Sequence, residues 1–146
     1  ARPLRPPSSQ FRSRRPVESQ LVTQTARQEL GAAGEELARR HLEQNGYEFI
    51  AANWRRRHGE LDLIMRDGNV LVFVEVKTRR SERFGTAEES VSPAQVPRLL
   101  RAAETFVADQ PTLAHLIWRV DLVAVTLSPS GAVTRLTHIV DAIHTG

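Results

Sequence analysis

Hydrophobic and polar positions alternate along the chain in patterns that are typical of helices in some segments and of strands in others. Between Thr25 and Gly46, apolar or small side chains recur at helical spacing, which predicts an amphipathic first helix. Thr25 and Gln28 have the spacing of a capping box, and Gly46 supplies a C-terminal stop. Glu35 falls on the flank of the apolar stripe, whereas Glu36 points away from it. Glu35 can therefore reach the rim of the surface on which this helix packs.

A second apolar stripe, from Leu99 to Val107, predicts a second helix. Ser92 and Pro93 look like its start, because proline is favoured at the first helical position. Pro97 would then lie inside the helix, where it would remove a backbone hydrogen bond. The pattern is therefore also compatible with a later start.

Five segments with apolar residues predict strands, at 47–54, 60–65, 70–77, 120–127 and 133–140, and the fourth is rich in β-branched residues. The element order is α-β-β-β-α-β-β. Because a helix connects the third and fourth strands, these two should be parallel neighbours, and the remaining connections should form antiparallel hairpins. We expect an α/β fold (α+β, with a mixed sheet) in which helices flank a central sheet.

A hairpin signal at residues 66–69, Arg-Asp-Gly-Asn, joins the second and third strands. If residues 67–68 form the two-residue loop, Asp62 lies opposite Phe73, and if residues 68–69 form it, Asp62 lies opposite Glu75. Since side chains alternate between the faces of a strand, both registers place the same polar side chains on one face. These are Asp62, Glu75, Lys77 and Glu60.

Lys77 is the only lysine in the chain, which also contains nineteen arginines. It follows Glu75 by two positions, so both side chains lie on the same face of the strand. Taken alone, this Glu-x-Lys pattern is more typical of an ordinary cross-strand ion pair than of a catalytic site. Asp121, on an apolar strand, is similarly open to two interpretations, a supporting role at a site or a contact with Arg119.

Two carboxylates beside one ammonium group are suited to phosphodiester hydrolysis. A divalent cation generates hydroxide, screens the phosphate and stabilises the leaving oxygen. Because Mg²⁺ keeps several waters and needs few carboxylates, Asp62 and Glu75 would be sufficient ligands, with the Val76 carbonyl as a further one. Lys77 would orient or deprotonate the attacking water, or stabilise charge on the phosphorane. Arginine cannot replace it in proton transfer, because arginine stays protonated.

Composition separates a basic N-terminal tail from the rest of the chain. Residues 1–28 hold six arginines against Glu18 alone, whereas the remainder holds fourteen basic and sixteen acidic groups. We expect residues 1–24 to be a disordered tail rich in Pro and Arg, which either adds nucleic-acid affinity or is inert, and residues 25–146 to form one domain. No cysteine is present, no histidine pair has metal-ligand spacing, and no apolar stretch could span a bilayer. We therefore expect a cytoplasmic protein without a membrane partner.

Several motifs carry a resemblance to a known family. The chain resembles the YraN-type bacterial family, which is similar to Holliday-junction resolvases and to restriction-endonuclease-like nucleases with a PD-(D/E)XK site. The resemblance covers about residues 26–142. It rests on Gly34-Glu35-Glu36, Asn53-Trp54-Arg55, Gly59-Glu60-Leu61-Asp62-Leu63-Ile64, Phe73-Val74-Glu75-Val76-Lys77-Thr78-Arg79 and Arg119-Val120-Asp121-Leu122-Val123.

The resemblance implies a restriction-endonuclease-like core and a nuclease dependent on Mg²⁺ or Mn²⁺. It implies that Asp62 and Glu75 hold the metal, that Glu35 assists them, and that all three act in catalysis with Lys77. Leu61 stands where the superfamily pattern has proline. Gln95 stands where related chains carry a basic residue, so a phosphate contact is expected to be missing there, although Gln95 also fits a capping box begun by Ser92.

Local arginine patches are candidates for binding a nucleic-acid backbone, although solvated loop arginines show the same pattern. The candidates are Arg55, Arg56, Arg57, Arg79, Arg80 and Arg83. We expect the partner to be DNA, in branched or recombining structures, and the resolvase-like relatives suggest a homodimer. The alternative to an endonuclease is a non-catalytic nucleic-acid-binding module of the same fold.

Overall fold

The computed structural model describes residues 15–57, 59–81, 85–86 and 88–144, with side chains from Thr25 onward. Its helices and strands follow the predicted α-β-β-β-α-β-β order, and a mixed sheet lies between the helices, as predicted. Two short 3-10 turns, Glu88–Ser90 and Pro111–Leu113, flank the second helix. The elements are α1 (Arg15–Gln44), β1 (Glu48–Arg56), β2 (Gly59–Asp67), β3 (Val70–Arg79), α2 (Gln95–Asp109), β4 (Ile117–Leu127) and β5 (Val133–Ile143).

The five strands form one sheet in their sequence order. Only β3 and β4 are parallel, and the other neighbouring pairs are antiparallel. This confirms the predicted crossover, because α2 spans the distance between the ends of β3 and β4. Among the described residues, no helix has both the length and the apolar character needed to cross a membrane.

Each helix covers one face of the sheet with its own core. On one face Ala38 and Leu42 of α1 pack with Val72 and Val74 of β3. On the other face Phe106 of α2 lies edge-on to Phe73, with ring centroids 5.6 Å apart. Burial on both faces explains why β3 reads as an almost continuous apolar run in the sequence. The polar residues that end this run therefore lie at the edge of both cores.

Both helices carry a proline near their N-terminal ends. α1 is described from Arg15, so residues 15–24 of the predicted tail are helical, which corrects the expectation that they are disordered. Pro16 is compatible with this because it lies in the first turn, where a missing N–H costs no helical hydrogen bond. Residues 1–14 lie outside the described part of the chain. α2 begins at Gln95, which puts Pro97 in its first turn and confirms the later start.

The β2–β3 hairpin selects one of the two predicted registers. Asp67 pairs with Val70, so Gly68 and Asn69 form the loop, and Gly68 has a φ of 58°. Glycine adopts this left-handed conformation without steric cost. The pairing continues to Leu63 opposite Val74. In this register Asp62 comes opposite Glu75.

Candidate active site

The candidate site lies where β2 and β3 stop pairing. Beyond the pair of Leu63 and Val74, the backbone N–H of Val76 donates to Oδ2 of Asp62 at 2.9 Å, in place of a ladder bond to a backbone carbonyl. A backbone donor is thereby satisfied by a carboxylate. This bond fixes Asp62 against β3, next to Glu75.

Asp62, Glu75 and Lys77 form a compact charged group. Glu75 is only 9% exposed, and Nζ of Lys77 lies 3.2 Å from its Oε1. Glu75 lies beside Asp62, and the negative charge of Asp62 opposes ionisation of Glu75, so the pair favours holding one proton. The structure thus brings together three of the four residues predicted to act in catalysis.

Burial raises the pKa of both carboxyl groups. For Glu75, burial and then the negative charge of Asp62 raise the pKa from 4.5 to about 7, against the opposing effect of Lys77. For Asp62, burial is again the largest effect and raises the pKa, while the Val76 N–H works against it. Each carboxylate is therefore costly to ionise unless a further cation approaches.

Glu35 reaches the site because α1 packs unusually closely on β3. A Cβ added to Gly34 would overlap the hydroxyl of Thr78 and lie 2.8 Å from its Cβ, so no larger residue fits without movement. Burial and then the charge of Asp62 raise the pKa of Glu35, whereas Asn53 lowers it. Glu36 points away, as predicted, and its Oε1 pairs with Nε of Arg40 at 3.0 Å.

Asn53 is a part of the site to which the sequence prediction gave no role. It has a φ of 51°, in the left-handed region, although it is not glycine. Its neighbours in β1 pair regularly with β2, but Asn53 and Asp62 do not pair in the ladder. The Asn53 side chain instead lies close enough to Glu35 to lower the pKa of its carboxyl group. Its one sequence signal was its place in the Asn-Trp-Arg motif.

The donor set fits a hard divalent cation that takes few protein ligands. Within the described ranges, no three His, Cys, Asp or Glu side chains are placed to hold one metal ion together. Asp62 and Glu75 thus offer two carboxylates, which suits Mg²⁺ or Mn²⁺, because such ions bind one or two carboxylates and keep water in their other positions. Glu35 lies beside this pair, and its role toward a metal stays a prediction.

A cavity of about 570 Å³ opens next to Glu75, between the β1–β2 hairpin and α2. Its lining includes Glu60, Glu75 and Gln95 together with five arginines. The arginines are Arg55, Arg56, Arg57, Arg98 and Arg101. The first predicted patch therefore lies at the site. The sequence pattern did not single out Arg98 and Arg101, because basic residues at this spacing are usual on the exposed face of any helix.

The second predicted patch does not line this cavity. Nη1 of Arg80 lies 3.4 Å from the Pro129 carbonyl oxygen, and Arg80 lines a different cavity with Arg135. The Nε of Arg79 is buried and has no hydrogen-bond partner within the described residues. Arg83 lies outside the residues that the structure describes. The patch is therefore not a continuation of the first one.

Asp121 is a structural carboxylate, and its predicted contact with Arg119 is confirmed. It is completely buried on the α1 face and accepts from Nε of Arg119 at 2.9 Å, and from the Asp141 N–H at 2.9 Å. Nε2 of His138 lies 2.8 Å from its Oδ2. Burial acts to raise the pKa of Asp121, but the hydrogen bonds outweigh burial and lower it.

Comparison with known proteins agrees with the motif resemblance. The sequence model of the Uncharacterised protein family UPF0102 matches residues 34–125. A UPF0102 protein of Mycolicibacterium vanbaalenii is 44% identical over 114 residues, which are 78% of this chain and 93% of the relative. One of Frankia alni is 45% identical over the same shares, and one of Xanthomonas campestris is 49% identical over 71% of this chain and 85% of the relative. The chain therefore belongs to the UPF0102 family, the YraN-type family that its motifs resemble.

Proposed function

We propose that this protein is a divalent-metal-dependent nuclease that hydrolyses phosphodiester bonds in DNA. The observation that carries the proposal is the pair formed by buried Glu75 and partly buried Asp62, with the Lys77 amine 3.2 Å from Glu75. When both carboxyl groups are ionised, the single lysine leaves one negative charge without a counter-charge. A bound cation would supply it.

Asp121 provides an internal comparison for this argument. Its carboxylate is also buried, but Arg119, His138 and a backbone N–H satisfy it, and its pKa is lowered. Glu75 is buried without such compensation, and its pKa is raised. Strongly perturbed carboxyl groups beside a cavity are typical of functional sites, whereas compensated ones are typical of structural networks.

Asp62 and Glu75 would hold Mg²⁺ or Mn²⁺. When bound, such an ion lowers the pKa of water and polarises a phosphate. Lys77 can donate a hydrogen bond to a phosphate oxygen, or accept a proton from water when its amine is neutral. Glu35 is held near Asp62 by the close packing of α1, and its raised pKa favours keeping a proton at the site.

The arginine-lined cavity supports an anionic polymer as the substrate, because it opens beside Glu75 and carries more positive than negative side chains. DNA in branched or recombining structures is the substrate that the family resemblance implies. Such a substrate is consistent with action in the cytoplasm.

A binding module without cleavage is the second candidate. One observation favours it: within the described residues, no three His, Cys, Asp or Glu side chains are placed to hold one metal ion. In this case the cavity would hold nucleic acid, and Asp62 and Glu75 would bind a metal for structure alone. Cleavage distinguishes the two candidates.

The test is a cleavage assay on duplex, single-stranded, flapped and four-way DNA, with Mg²⁺ or Mn²⁺ and with EDTA. We expect the wild type to cut at least one substrate and Lys77→Arg and Asp62→Ala to lose cutting while they still bind DNA. Glu35→Ala is compared with Glu36→Ala, which changes the same residue type one position away on the solvent side. A wild type that cuts nothing, or Lys77 and Asp62 variants that cut as well as it does, would overturn the nuclease.

A further inference from the structure

The cavity beside Glu75 contains both compensated and uncompensated arginines. Nε of Arg55 lies 3.4 Å from Oε2 of Glu60, and Nε of Arg56 lies 3.6 Å from Oδ2 of Asp109. The guanidinium of Arg56 also lies 4.7 Å from the Trp54 ring centroid. The guanidinium groups of these two arginines therefore already have partners within the protein.

Arg57, Arg98 and Arg101 differ from them. All three are exposed and line the same cavity, and none has an ion pair with another residue that the structure describes. Arg98 and Arg101 are three positions apart on α2, so they lie on one side of the helix. The cavity thus holds three free guanidinium groups that face solvent from two elements.

This concentration of charge is local. Outside residues 1–28 the chain has more acidic than basic groups, fourteen basic against sixteen acidic. In the part of the chain that the structure describes, five of those fourteen line this one cavity, and the acidic residues in its lining are Glu60 and Glu75. A concave surface with excess positive charge attracts polyanions even when the body of the protein is nearly neutral.

We propose that Arg57, Arg98 and Arg101 form a binding site for the phosphate backbone of a nucleic acid. This site binds without regard to base sequence. This inference rests on the proposed function in one respect, because the bound strand is taken to continue to Glu75 for cleavage. Phosphate binding by the three arginines needs neither a metal nor cleavage. Binding and chemistry are therefore separable.

The chemistry of the lining explains the lack of base reading. Among the residues that the structure describes, no aromatic side chain lines the cavity. Trp54 packs edge-on against Phe106, with ring centroids 5.6 Å apart, and Arg56 lies over it, so its indole is not a platform for a base. The one side-chain amide among the described lining residues belongs to Gln95, whose Oε1 accepts from the Ser92 N–H at 2.8 Å. Guanidinium groups that have no aromatic ring or free amide beside them to contact bases bind phosphates irrespective of sequence.

Arg98 also accounts for the cation expected to be missing at Gln95. Gln95 makes the reverse bond of a capping box with Ser92, as its alternative interpretation predicted. Arg98 lies almost one helical turn later and lines the same cavity. It can present a positive charge to the phosphate that a basic residue at position 95 would have met.

The test measures binding of the full chain to fluorescent DNA duplexes by anisotropy, in EDTA, over a range of KCl concentrations. Two duplexes of equal length and unrelated sequence are compared. The variants are Arg98→Ala with Arg101→Ala, and the same positions changed to lysine. Arg40→Ala is the matched control, because it removes an exposed helix arginine that pairs with Glu36 and lies outside the cavity lining. Unfolding midpoints verify that each variant is folded.

Counterion release sets the expected size of the effect. Each lost phosphate contact reduces the slope of log affinity against log salt by about 0.9, which is about eightfold in affinity at about 0.1 M salt. We expect the double alanine variant to lose both contacts, the double lysine variant to keep the slope, and Arg40→Ala to match the wild type. Both duplexes should bind equally.

Three results would overturn the proposal: a folded double alanine variant with the wild-type slope, a lysine variant that loses the slope as alanine does, or strong preference for one duplex sequence. These outcomes are independent of the nuclease. If the wild type cuts no DNA but the slope falls as expected, the proposed activity fails and the backbone site stands. If Lys77-dependent cutting is found and the slope of the double alanine variant does not change, the proposed activity stands and the backbone site fails.

Discussion

Replacing Glu75 by glutamine tests the electrostatic description of the site. Glutamine has nearly the same shape as glutamate but carries no charge at any pH. Glu75 is 9% exposed and contacts both Asp62 and Lys77. The change therefore removes one buried titration and leaves the packing almost unaltered. We expect Glu75→Gln to change how the stability of the metal-free protein depends on pH.

The sign follows from the raised pKa. In the unfolded chain Glu75 ionises near its ordinary pKa of 4.5, whereas in the folded protein its pKa is about 7. Between these values the folded state holds more protons, so the free energy of unfolding falls as the pH rises. The stabilisation is complete below pH 4.5 and is lost above pH 7. A shift of this size corresponds to about 3 kcal/mol.

Other carboxyl groups do not reverse this sign in the same window. The pKa of Asp62 is also raised by burial, so its ionisation lowers stability with rising pH as well. Asp121 has a lowered pKa, so its contribution is present above its ordinary pKa of 3.8 and is lost only in more acidic solution. The fall above pH 4.5 should therefore come from Asp62 and Glu75, with a contribution of the same sign from Glu35, whose pKa is also raised by burial.

The assay is urea unfolding in EDTA at several pH values across this window, with Glu36→Gln as the control for an exposed glutamate on the solvent side of α1. The wild type and the control should lose stability as the pH rises, and Glu75→Gln should lose about 3 kcal/mol less. Added Mg²⁺ should restore stability to the wild type at high pH but not to Glu75→Gln, because a ligand stabilises the state that binds it. Identical pH dependence in the wild type and Glu75→Gln would refute the reasoning.

Three further substitutions test how the site is supported. Gly34→Ala should cost about 1–3 kcal/mol in urea unfolding by overpacking against Thr78, and should slow the initial rate of cleavage by moving Glu35. Adding Thr78→Ala to this variant should partly restore both. Asn53→Ala should be less stable than Asn53→Gly by about 1 kcal/mol, since alanine is strained at positive φ, while both should lose activity with the amide; equal stability of the two would contradict this. Asp121→Asn should cost about 3 kcal/mol in urea unfolding, because the partly buried Arg119 loses its buried counter-charge.

The fold was largely predictable because it depends on local periodicity. The apolar runs gave every strand, and the helix between the third and fourth strands required a parallel pair, which β3 and β4 form. The hairpin sequence is compatible with two registers, and the structure selects the one with its loop at Gly68 and Asn69. Helix starts were less certain, since proline is tolerated in a first turn, and α1 therefore extends back to Arg15.

The sequence by itself determined which chemical groups are available at the site: the Glu-x-Lys pattern and Asp62 follow from side-chain alternation and a short hairpin. Only the tertiary structure decided how these groups are surrounded. The raised pKa of Glu75 needs burial from both faces of the sheet, and the position of Glu35 needs Gly34 packed against Thr78. The arginine cavity joins a hairpin to a helix about forty residues later in the chain. Burial and proximity between distant segments are products of packing, and no local pattern encodes them.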